Sequence, residues 1–135
     1  MESKIIKRYR KKSVAQLRGI ATVYFNRFIR LRDRNLPCIS CNNDFNQAGH
    51  YYSGGHYSAL KFNEDNVNGQ CIRCNYHLHG NLIEYRLRLE KKIGLDRIKK
   101  LDEVAKIYKR TSFKWDKMTL IEIIETYKLK CKSSD

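Results

Sequence analysis

The stretch Cys38-Ile39-Ser40-Cys41, answered 29 residues later by Cys71-Ile72-Arg73-Cys74, decides how this chain folds. Two residues between paired thiolates let a tight turn aim both sulfurs at one ion. Two such knuckles complete a tetrahedral, all-thiolate ligand set for Zn2+. Two disulfides could use the same four residues. However, the charged start from Met1 to Lys12 has no apolar signal segment, and the cytoplasm it implies keeps thiols reduced. A thioredoxin-like redox pair needs only one C-x2-C and a βαβ surround, which this sequence lacks. The reading is a structural zinc site at Cys38, Cys41, Cys71 and Cys74, closed by its four thiolates to water and substrate. Cys131, in the basic tail, is left as a free thiol.

Any chemistry must then come from residues around the frame. All four histidines, His50, His56, His77 and His79, fall between residues 50 and 79. Gln47–Tyr52 and Tyr57–Phe62 are short aromatic runs separated by Ser53-Gly54-Gly55-His56, which predicts a hairpin. Asn63-Glu64-Asp65-Asn66 is turn chemistry. After Cys74, Leu78, Leu82, Tyr85, Leu89 and Ile93 recur at helical steps, with Gly94 at the stop position.

The flanks are helical and basic. Ser13 is the expected cap of a helix to about Arg34, with an apolar stripe through Val14, Leu17, Ala21, Tyr24, Phe25, Phe28 and Leu31. Arg18, Arg27, Arg30 and Arg34 decorate its other side. A further helix is expected over about Leu95 to Arg110, and a last one after the capping-box sequence Thr119-Leu120-Ile121-Glu122. This order predicts an α+β protein. A zinc-stabilised treble-clef, ββα-metal core over 37–94 is flanked by a basic helical arm over 1–36 and a basic helical region over 95–135.

The chain carries a net +14 in 135 residues, divided as +9 over residues 1–34, −2 over 35–85 and +7 over 86–135. Two cationic arms around a near-neutral centre are the electrostatic footprint of a nucleic-acid binder; a solvated surface or attraction to lipid headgroups is the plainer account. Apolar stretches such as Ile20–Phe25 fall far short of the ~20 residues that span a bilayer, so no membrane partner is expected.

Three runs carry a resemblance. Ala48-Gly49-His50-Tyr51, then Asp65-Asn66-Val67-Asn68-Gly69-Gln70-Cys71-Ile72-Arg73-Cys74-Asn75, then His77-Leu78 and Gly80-Asn81 are similar to the phage NinG (Rap) family of recombination endonucleases. The similarity runs from about Cys38 through Gly94. The wider group it resembles is the HNH, or His-Me finger, nucleases. The resemblance implies a metal-dependent DNA endonuclease of the host cytoplasm, cutting branched or Holliday-junction DNA, with structural Zn2+ and catalytic Mg2+ or Mn2+.

It also implies roles for residues. His50, ending the first strand, would be the general base that activates water. Asn75, directly after the second knuckle, would open a helix and bind the catalytic metal. Zinc-framed relatives usually place an Asp before the base; here Gly49 stands there, as in the NinG pattern. His77 is the expected substitute ligand, close to Asn75, whereas His79 is expected to point elsewhere by helical geometry. Asn66 would bond backbone across the loop and hold the base strand. Asn81 is a weaker candidate ligand or phosphate contact. His56 is either a phosphate contact or an ordinary turn residue.

For DNA itself, Arg73, Arg86, Lys91 and Lys92 join Arg18, Arg27 and Arg30 as candidate phosphate contacts, which position a protein without reading sequence. Two symmetric cuts at a junction would imply a homodimer, with the stripe Leu120, Ile121, Ile123, Ile124 and Tyr127 as its interface or as ordinary core. The alternative to a nuclease is a non-catalytic zinc module that binds nucleic acid, its site degraded at Gly49.

Overall fold

Ser13 caps a helix: its Oγ accepts the Gln16 N–H at 3.1 Å, and Gln16 Oε1 accepts the Ser13 N–H at 2.9 Å. This reciprocal box opens α2, Val14–Arg32, which follows a short α1, Glu2–Tyr9. The computed structural model describes residues 2–108 and 113–134, an α+β chain with one small two-stranded sheet. The chain divides into two compact units, Met1–Phe28 with Trp115–Asp135, and Ile29–Lys114. No described helix is long and apolar enough to cross a membrane.

The first unit is helical. Leu17, Ala21 and Phe25 recur every fourth residue on α2 and are fully buried. Phe25 packs edge-on against Tyr127 of α5, Lys117–Ser134, at 4.8 Å between ring centroids. Tyr9 of α1 donates its hydroxyl to Glu125 at 2.5 Å. Leu120, Ile121, Ile124 and Tyr127 are buried and Ile123 is half-buried, so of the two readings of this stripe, interface or ordinary core, the structure shows core packing. The start of α5 also differs from expectation. Asp116 takes the Thr119 N–H at 2.8 Å and its hydroxyl at 3.1 Å, so one carboxylate satisfies two donors and the cap lies three residues before Thr119.

The second unit is built on β1, Gln47–His50, paired antiparallel with β2, Val67–Gln70, in the register Gln47↔Gln70 to His50↔Val67. The expected hairpin partner, Tyr57–Phe62, is no strand. Ser58–Leu60 forms a 3-10 turn, with the Leu60 N–H on the Tyr57 carbonyl at 2.9 Å. Residues three apart eclipse in such a turn, so Tyr57 and Leu60 both face the core; a strand would turn them to opposite faces. The Leu60 side chain joins Ile39, Tyr85, Leu89, Ile98, Leu101 and Ala105 there.

The helix after the second knuckle is interrupted. Arg73–His77 makes a π-type turn, then His79 (φ 50°), Gly80 (φ 96°) and Asn81 (φ 44°) take left-handed conformations. A right-handed helix cannot pass through three such residues. Helix α3 therefore spans Leu82–Ile93 and stops at Gly94, whose N–H reaches the Glu90 carbonyl at 2.8 Å. Helix α4, Leu95–Ile107, packs on α3; the expected continuation to Arg110 reaches residues outside those described.

Candidate active site and metal centre

The four cysteine sulfurs converge, all within 4.8 Å of one another. A tetrahedral Zn2+ with Zn–S bonds of about 2.3 Å would separate its sulfurs by about 3.8 Å, and Cys41 and Cys71 stand at 3.7 Å. Backbone N–H groups face the cluster: Ser40 and Cys71 donate to Cys38 Sγ at 3.4 and 3.3 Å, Asn43 to Cys41 at 3.4 Å, and Cys74 to Cys71 at 3.5 Å. Asn81 adds its side-chain amide, donating to Cys74 Sγ at 3.5 Å. Such donors stabilise thiolates rather than thiols. Burial pushes the Cys38 thiol up and Cys74 to about 12, so these groups ionise readily only beside a compensating cation. The donor set fits a metal such as zinc, and all four positions read from the spacing take part.

Beside this frame lies an open cleft of about 590 Å3, lined by His50, Tyr51, Tyr52, Asn75, His79 and Gly80 among others. His50 ends β1 and sets its Nε2 against the Lys61 carbonyl at 2.9 Å. A carbonyl only accepts, so Nε2 carries the proton and Nδ1 is the unprotonated, basic nitrogen. Burial holds the imidazole below its ordinary 6.5, opposed by the Lys61 carbonyl and aided by the Lys61 charge. His50 is thus neutral at pH 7, the state a base requires.

Three buried groups fix the strand that presents it. Asn66, fully buried, accepts the Tyr52 N–H at 2.8 Å and donates to the Tyr52 and Leu60 carbonyls at 2.9 and 3.0 Å. Tyr85 donates its hydroxyl to the Gly49 carbonyl at 2.7 Å. Gln70 explains Gly49 itself: a Cβ there would stand 1.8 Å from Gln70 Oε1 and 2.8 Å from Gln70 Cβ. Gln70 cannot swing away easily, because its amide is buried and bonded to Ser40 Oγ at 2.9 Å and the Gly80 carbonyl at 2.7 Å. An Asp before His50 has no room in this packing.

Asn75, expected to open a helix, sits in the middle of the π-type turn Arg73–His77 and lines the cleft. Its amide nitrogen is engaged by Gln47 Oε1 at 2.9 Å, which leaves Oδ1 as the atom available to a cation. His77 does not join it. Residues two apart on a helical turn diverge, and His77 is exposed with its ring edge-on to Tyr76 at 5.2 Å. His79, set aside in the sequence reading, lines the cleft instead. Asn81 is bonded to Cys74 and to the Ser40 carbonyl at 3.3 Å, so it belongs to the frame rather than to a ligand or phosphate site. His56 bonds Ser53 Oγ at 3.0 Å in an exposed turn.

The cationic candidates divide. Arg18, Arg27, Arg30, Arg73 and Lys91 are exposed. Arg86 is committed to Asp102 through two bonds of 3.1 and 2.8 Å and to the Tyr51 hydroxyl at 3.1 Å, tying α3 to α4. Lys92 points inward, to Asp33 at 2.9 Å and Asn68 at 2.6 Å.

Asp33, outside the cleft lining, is a supporting residue that sequence reasoning missed. It is 2% exposed, and it accepts from Arg32 at 2.8 and 2.9 Å, from Lys92, and from the Gly69 N–H at 2.9 Å. Arg32 continues to the Glu64 and Val67 carbonyls at 2.8 and 2.9 Å. Both strand β2 and the loop before it are thereby held by one ionic network. Burial would raise the Asp33 carboxyl, but the bonds from Arg32, Gly69 and Lys92 bring it below its ordinary 3.8. A signal existed: Asp33 continues the four-residue phase of Leu17, Ala21, Phe25 and Ile29, and a carboxylate in phase with a buried stripe has to be paired.

Residues 2–135 match the family model described as the bacteriophage lambda NinG protein. The chain is 40% identical over 108 residues to protein ninG of Salmonella phage P22 and 39% identical to protein ninG of Escherichia phage lambda. Each alignment covers 78% of this chain, which spans about half (52%) of the length of those relatives. No solved structure matches it.

Proposed function

The chain belongs to the NinG family, and from that premise and the cleft around His50 we propose that it is a metal-dependent DNA endonuclease of the His-Me finger (HNH) type. The observation that carries this reading is His50: an imidazole that lines an open cleft, with its Nε2 proton engaged by the Lys61 carbonyl, so that Nδ1 is its basic nitrogen. In the proposed reaction Nδ1 takes a proton from the attacking water as the water oxygen bonds to phosphorus and the bond from phosphorus to the leaving oxygen breaks, that oxygen then taking a proton from solvent. Asn66 and Tyr85 keep the base strand fixed through that transfer. Mg2+ or Mn2+, held through Asn75 Oδ1, would supply Lewis acidity to the scissile phosphate and to the leaving oxygen. Zn2+ at Cys38, Cys41, Cys71 and Cys74 is structural in this scheme, since four thiolates leave no open position.

The exposed cations of the arms support DNA as the partner, branched DNA being the preferred form by family. Two symmetric cuts would then call for a homodimer formed through a surface other than the buried α5 stripe. The setting would be the host cytoplasm. Gly49 favours the second reading, a zinc module that binds nucleic acid without cutting it.

Cleavage of labelled duplex, flap and four-way-junction DNA separates the two. The nuclease reading expects nicking with Mg2+ or Mn2+. It further expects His50→Ala to lose about 10²- to 10⁴-fold in rate while DNA affinity is kept. Because His50 titrates below 6.5, its contribution should already have levelled off at neutral pH. Tight, salt-sensitive binding with no cleavage under any divalent ion would favour the binding module.

A further inference from the structure

We propose that His79, together with Asn75, forms the divalent-cation site of this cleft, taking the place of the carboxylate that Gln70 excludes at position 49. The inference rests on the nuclease reading for its purpose, but not for its test. Three observations carry it. The first is placement: Asn75 and His79 line one cleft with His50, and His77 does not. Asn75 sits inside the π-type turn Arg73–His77, and the left-handed turn that follows brings His79 to the same cleft.

The second is the conformation of His79. Its φ of 50° lies in the left-handed region, uncommon for a residue with a Cβ. The turn around it is fastened to the cysteine frame: the Gly80 N–H donates to the Cys74 carbonyl at 2.8 Å, and Asn81 donates to Cys74 Sγ and to the Ser40 carbonyl. The same knuckle that would hold zinc thus sets the imidazole at the cleft rim.

The third is the donor inventory. Gln47 occupies the Asn75 amide nitrogen and so orients its oxygen, while the His79 ring has no hydrogen bond to the described residues. One amide oxygen and one imidazole nitrogen make a neutral, mixed O/N pair. Imidazole suits Mn2+ and the later transition metals better than it suits Mg2+, so Mn2+ should be preferred. With no carboxylate in the pair, the substrate phosphate would supply the negative charge, and cation and DNA should reinforce each other's binding.

The test needs no cleavage. The zinc-loaded full chain is titrated with Mn2+ while the imidazole resonances of the four histidines are followed, each assigned by its own substitution. Preferential broadening of His79 and His50 over His77 and His56 is expected. His79→Gly, which suits the left-handed turn, should weaken Mn2+ binding by at least ~10-fold, as should Asn75→Ala, with one zinc per chain retained. His77→Ala should bind Mn2+ as the wild type does.

Unchanged Mn2+ affinity in His79→Gly, broadening centred on His77, or no Mn2+ binding by the wild type would each overturn the assignment. Cutting by His50→Ala at the wild-type rate would instead defeat the nuclease mechanism, leaving the Mn2+ result to stand or fall separately.

Discussion

Two cations and a strand amide converge on Asp33 in the second unit. Removing one member of a buried ionic cluster typically costs about 3–5 kcal/mol, since the remaining charges stay buried without an answer. Asp33→Asn should lower unfolding stability by that order in urea titrations at pH 7. The pH dependence has a definite sign. The folded carboxyl lies below its ordinary 3.8, so its contribution is complete above about pH 4 and is lost as pH falls through the lower folded value. The stability gap between wild type and Asp33→Asn should therefore close below pH 4, and a gap constant down to pH 2 would show that the charge is irrelevant. Among the histidines, position alone separates roles: His50 and His79 line the cleft, and His56 and His77 do not.

At the scale of elements, what could be read in advance followed from strong local chemistry. The two C-x2-C knuckles were legible because ligand spacing is itself the geometry of the site. Ser13 was legible because a capping hydroxyl has one job at that position. Strand β2 was not, since Val67-Asn68-Gly69-Gln70 has little intrinsic strand preference. It is held by buried side-chain bonds of Asn68 and Gln70 and by Phe45, which lies so close to Gly69 that a Cβ there would stand 2.5 Å from its ring. The aromatic run Tyr57–Phe62 looked more strand-like, yet its core-facing residues follow the 3-10 period. The break at His79–Asn81 was hidden because two of its three left-handed residues are not glycine, and with it went the choice between His77 and His79. The knuckles also predict how the second unit fails. Chelation, or Cys71→Ser, should remove the bound metal and collapse near-ultraviolet circular dichroism from the tyrosines of this unit, because metal binding and folding are coupled at such sites. Native tertiary signal in a demonstrably metal-free sample would refute a structural zinc.

For the whole molecule, the net +14 resolves into groups with different duties. Arg86, Lys92, Arg32 and Arg97 are spent on internal carboxylates. Arg18 and Arg30 of α2, with Arg73 and Lys91, are among the exposed cations that could meet phosphates. Arg18→Ala with Arg30→Ala should weaken DNA binding about equally across sequences and reduce the slope of log affinity against log salt by up to about 2, read from titrations at several salt concentrations. An unaltered slope would remove these side chains from the DNA surface. Arg86→Ala should instead lower stability, by leaving Asp102 without its guanidinium partner and with the Tyr52 hydroxyl still bonded to it.

The account turns on whether the neutral imidazole at the end of β1 drives phosphodiester hydrolysis. Single-turnover cleavage of a four-way junction by the zinc-loaded chain with Mn2+, wild type against His50→Ala at equal DNA occupancy, addresses this directly. The wild type should cut, and the variant should lose at least about 100-fold in rate. Equal rates in the two proteins would contradict it.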